Sequence, residues 1–81
     1  MKRFFWDFFG PRADGTAQHF LLHLRQFLQK NECPEMPIGL SSEGAGHQAV
    51  FCSPPVELEA AIERSLRPRR SVELEPTSTE R

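Results

Sequence analysis

Five of the chain's eight aromatic residues stand within six consecutive positions: Phe4, Phe5, Trp6, Phe8 and Phe9, interrupted only by Asp7. A β-strand sends successive side chains to opposite faces, so an extended segment with this composition carries large rings on both. Helices packed on one side would still leave the other side to be covered. The segment therefore predicts a layered α+β architecture and an adhesive sheet face.

Parity assigns the faces. Phe4, Trp6 and Phe8 share one side, and Phe5, Asp7 and Phe9 the other. A carboxylate is far costlier to bury under helices than to leave near water. The Asp7 side is thus expected to be open, and Phe4, Trp6 and Phe8 to face the core.

Elsewhere the chain alternates helical and extended patterns. Gly10-Pro11 stops the first strand, and Gly10 to Gly15 reads as a loop, with Asp14 or Thr16 capping the next helix. Ala17, Phe20, Leu21, Leu24 and Leu28 form one apolar stripe of a helix reaching about Asn31. Cys33-Pro34-Glu35-Met36-Pro37 breaks the chain. Ile38 to Ser41 and His47 to Cys52 read as a hairpin around a Ser42-Glu43-Gly44-Ala45-Gly46 turn. Ser53-Pro54-Pro55 signals a second helix with serine as N-cap. Leu58, Ala61, Ile62, Ser65 and Leu66 supply its buried stripe, and Pro68 closes it. Residues 71–75 could add a short fourth strand, and 76–81 read as a disordered tail.

The expected organisation is one α+β domain over residues 1–75 with strand order β-α-β-β-α and a possible final strand. That is the split β-α-β pattern of a ferredoxin-like sandwich, an antiparallel sheet with two helices on one face. Ile38, Leu40, Phe51 and Ala49 are expected to join the core. Val50 and Cys52 would then lie on the open face beside Phe5, Asp7 and Phe9, with Gln48 at one end. This set, Phe5, Asp7, Phe9, Gln48, Val50 and Cys52, is the predicted ligand or interface surface.

Composition limits the partners. Ten basic and eleven acidic side chains give a net charge of −1, so no strong field draws nucleic acid or an anionic membrane. No apolar run approaches a membrane span. Met1-Lys2-Arg3 before the aromatics imitates a signal peptide, but Asp7 interrupts the short run and no small-residue cleavage site follows, which implies a cytoplasmic protein. Cys33 and Cys52 lack the paired spacing of a zinc site and read as two reduced thiols. No cofactor is implied.

Three readings of function follow. An exposed apolar sheet face marks a contact surface, and a domain of 81 residues gains much by burying it. A protein-interaction module forming a homodimer through that face, with room for an unidentified protein or small-molecule ligand, is the first. The structural alternative is that the C-terminal tail covers the face. The second reading is a single-stranded RNA binder that stacks bases on the same aromatics, disfavoured by the charge balance. The third is a small enzyme with Asp7 as general base in an apolar setting. Against it, Asp7 could simply pair with Arg12 or with a basic residue across a dimer. His19 and His23, at i and i+4, lack a third metal ligand. No nucleophile motif is present, so no catalytic residue is predicted.

Overall fold

The computed structural model describes residues 2–73. Its elements are β1 (Lys2–Phe9), α1 (Ala13–Lys30), β2 (Ile38–Gly44), β3 (His47–Cys52), α2 (Val56–Leu66) and β4 (Arg70–Glu73). The four strands form one antiparallel sheet in the order β2-β3-β1-β4. The aromatic β1 is thus a central strand, hydrogen-bonded along both edges. The predicted fourth strand is present but begins at Arg70. Its expected end at 74–75 and the predicted tail, 76–81, lie outside the described residues.

Both helices cover the face that carries Phe4 and Trp6. These two pack with Val50 and Cys52 against Ala17, Leu24 and Leu28 of α1 and Ile62 of α2, all buried. Phe20 of α1 reaches the rings of Trp6 and Phe8, with centroids 5.1 and 5.6 Å away. The Trp6 indole donates to the Leu66 carbonyl at 2.9 Å, which fixes the last turn of α2 to the sheet. This bond satisfies both a buried ring N–H and a helix-end carbonyl. Asp7 points away from this core, as the parity argument requires.

The helix starts differ from expectation. α1 begins at Ala13, so the loop after β1 is shorter than Gly10–Gly15, and neither Asp14 nor Thr16 caps it. Gly10 takes φ +102°, which turns the chain at once, and its carbonyl accepts from the Ala13 N–H at 3.1 Å. Asp14 lies inside the first turn, where a carboxylate suits the helix dipole, and accepts from Gln18 at 3.2 Å. Ser53 does not cap α2 either. Pro55 takes that position, and the buried Ser53 hydroxyl accepts from Arg3 Nε at 2.7 Å instead.

The main correction concerns β3. Its register against β1 pairs Phe4 with Cys52, Trp6 with Val50 and Phe8 with Gln48. Residues paired across a ladder share a face, so Gln48, Val50 and Cys52 belong to the helix side. Val50 and Cys52 are completely buried there. Phe51, Ala49 and His47 take the open side, opposite Phe5, Asp7 and Phe9. The His47–Cys52 segment contains no charge to declare its own parity, and the one-residue offset inverts every side chain.

Candidate functional site

The open face is built from odd-numbered β1 residues and their cross-strand partners. Arg3, Phe5, Asp7 and Phe9 run along β1; His47, Ala49 and Phe51 lie on β3; Arg70 and Val72 lie on β4. Of the predicted surface residues, Phe5, Asp7 and Phe9 are brought together here. Gln48 instead reaches Ser42 on the neighbouring strand, 3.3 Å away.

At the centre, Asp7 is held by two side chains remote in sequence. Arg70 donates through Nε to Oδ2 and through Nη2 to Oδ1, each at 3.0 Å, a bidentate fork. His47 Nε2 lies 2.8 Å from the same Oδ1. Glu43 of β2 completes the row, 3.9 Å from Arg70 Nη2. All four strands therefore contribute one charged or titratable side chain to a single polar line across the sheet. Ala49, paired with Asp7, lies wholly buried beneath it. Its small side chain leaves the room these longer groups occupy.

Rings flank that line. The Arg70 guanidinium sits 4.2 Å from the Phe5 centroid, and His47 stacks on Phe9 with centroids 4.3 Å apart. The Arg3 guanidinium lies 4.6 Å from the Phe51 centroid. The Phe51 ring reaches over Gly39, where an added Cβ would come within 3.0 Å of its ring tip. Replacing Gly39 by alanine is expected to tilt the Phe51 ring off Arg3 and to cost about 1–3 kcal/mol, since the added methyl meets a rigid ring at two atoms. Aromatic ring shifts in NMR spectra, with a denaturant melt, check both parts.

Although it belongs to the open face, the Asp7 side chain is only 8% exposed. The Arg70 hydrogen bonds hold its carboxyl below the ordinary aspartate value of 3.8; burial opposes them, and the His47 hydrogen bond reinforces them. A carboxyl held ionised and fully partnered is poorly suited to act as a general base near neutral pH. A depressed folded-state pKa adds stability that is present above the unfolded-state value and is lost as pH falls through the folded one. Acid denaturation below about pH 4 is therefore expected to be steeper in the wild type than in Asp7→Asn, with the difference vanishing once the carboxyl is protonated. Thermal melts of both proteins over an acidic pH series measure it.

His19 and His23 meet on α1 with their Nε2 atoms 2.9 Å apart. Among the described residues, no group of three or more His, Cys, Asp or Glu side chains is placed to hold a metal ion, and no helix is long and apolar enough to cross a membrane. Sequence reasoning missed Arg70, His47 and Phe51 as members of the open face. The unexplained charge of Asp7 was a signal that a partner had to exist, but nothing in the local sequence names a partner 40 or 63 residues away. Comparison with protein-family models, with curated proteins and with solved structures finds no match.

Proposed function

We propose that the chain is a ferredoxin-like sandwich serving as a protein-interaction module, and that the open sheet face is its docking surface for a second copy of itself. The strand order β2-β3-β1-β4 and the packing of both helices on one face support that fold reading. A cytoplasmic setting, with both cysteines reduced, belongs to the same proposal.

The observation that carries the interaction reading is the character of the open face. Phe9 is 65% exposed and Val72 45%, at opposite ends of a surface where Arg70 lies over the Phe5 ring and Arg3 over the Phe51 ring. Its charges balance: Arg3 and Arg70 against Asp7 and Glu43. A face that is apolar at its ends and neutral overall can meet its own image without like-charge repulsion, as a two-fold contact requires. Sedimentation velocity across a micromolar dilution series is expected to show a reversible monomer–dimer equilibrium. A clean monomer throughout would sink the proposal and favour cover by residues 74–81.

A second reading, single-stranded RNA binding, gains from one feature. Phe5 and Phe51 are directly paired across the two central strands, and each has an arginine at its ring. Aromatic rings so placed can stack successive bases. The neutral face still offers few phosphate contacts. Dissociation of the dimer on adding an oligonucleotide would favour RNA, and indifference favours the interaction module.

A further inference from the structure

We propose that Cys33, Met36 and Cys52 form a three-sulfur site for a soft monovalent metal ion of the Cu(I) class. The site lies on the helix side of the sheet, apart from the docking face, and stands or falls independently of it.

Ile38 pairs with Cys52, and Ser53 donates its N–H to the Pro37 carbonyl at 2.9 Å. The segment containing Cys33 and Met36 is thereby laid along the end of β3. The Cys52 thiol sits 3.4 Å from the Met36 thioether sulfur. Cys33 and Met36 pack against the core cluster that contains Cys52. Cys33, 19 positions before Cys52 in the sequence, lines the same cleft as Met36, and its thiol lies 4.0 Å from the Asn31 carbonyl.

Access also fits. Cys33 and Met36 line a cleft of about 250 Å³ between α1 and β2, together with Leu28, Ile38 and Arg25. An ion can enter there and meet Cys33 and Met36 first, with Cys52 behind them. Metal–sulfur bonds of about 2.3 Å place the sulfurs of a trigonal site about 4 Å apart, so a shift of about half an ångström in Met36 opens the gap. Two thiolates and one monovalent cation leave a single negative charge, next to a cleft lined by both the Arg25 guanidinium and the Glu35 carboxylate.

The donor set selects the metal. Thiolate and thioether sulfur favour soft Cu(I), whereas structural zinc takes four ligands from cysteine, histidine and carboxylates. Binding replaces two S–H protons by two metal–sulfur bonds and releases both protons, with no change of oxidation state. Affinity must therefore rise with pH.

The test is titration of the reduced full chain with Cu(I) under anaerobic conditions, in competition with a chromophoric chelator, followed by X-ray absorption. The expected result is a one-to-one complex with sulfur-only coordination and an affinity that increases with pH. Cys33→Ser, at a half-buried position, is expected to weaken it by at least about a hundredfold, the upper end of what losing a mere supporting group costs. Met36→Leu preserves volume and is expected to weaken it by about tenfold, with circular dichroism confirming that both variants fold. Unchanged affinity in either variant would overturn the assignment. So would nitrogen coordination abolished by His19→Ala, or failure of the wild type to compete with the chelator.

Discussion

Phe4→Ala is expected to remove about 3–5 kcal/mol of folding stability, a large share of the total. Phe4 is completely inaccessible to solvent, is among the largest of the fully buried side chains, and lies on the central strand under both helices. Truncating a buried phenylalanine to alanine costs about 3–5 kcal/mol through lost transfer energy and the cavity left behind. A chain of 81 residues has a total stability of only about 4–12 kcal/mol. The surrounding core cluster draws Val50 and Cys52 from β3 and Ile62 from α2, so the space is walled by a strand and a helix that are fixed independently. Urea melts followed by tryptophan fluorescence, with Trp6 as the internal probe, check this. A loss below about 1 kcal/mol would mean that the core assignment is wrong.

Phe9→Ser is expected to abolish self-association while leaving the fold intact. The ring is 65% exposed in the single chain, so its removal costs the monomer little beyond its stacking on His47. In a two-fold dimer the same substitution acts twice. Burying a phenylalanine contributes about 1.5–3 kcal/mol, so the dimer loses about 3–6 kcal/mol. That corresponds to a rise in dissociation constant of about a hundredfold to ten-thousandfold. Sedimentation and a thermal melt of the same sample separate the two effects. Unchanged association would place the contact elsewhere, and loss of folding would mean that Phe9 supports the core. The contrast with Phe4, five positions earlier on the same strand and on the opposite face, makes the pair a direct test of the parity argument.

How much of this was legible in advance depends on what each residue reveals locally. Asp7 oriented β1 correctly, because the cost of burying a carboxylate beneath helices outweighs any packing preference of its neighbours. The α1 stripe emerged from spacing alone, since Ala17, Leu24 and Leu28 recur at the helical period and are buried as expected. β3 offered no such marker. Val50 and Phe51 are adjacent and both apolar, so either could have faced the core. The open room above Gly39 received the large ring of Phe51, and the smaller Val50 and Cys52 went beneath the helices.

The amino-acid order by itself determined the element sequence and the side of the aromatic strand from which its charge must emerge. Those follow from periodicity, turn chemistry and the free energy of hydrating a carboxylate, all of which act over a few residues. Only the tertiary structure decided the register of β3, the union of Asp7 with His47 and Arg70, and the contact of Cys52 with Met36. Such contacts depend on which strands lie side by side, and strand pairing is a balance summed over the whole sheet that no local segment carries.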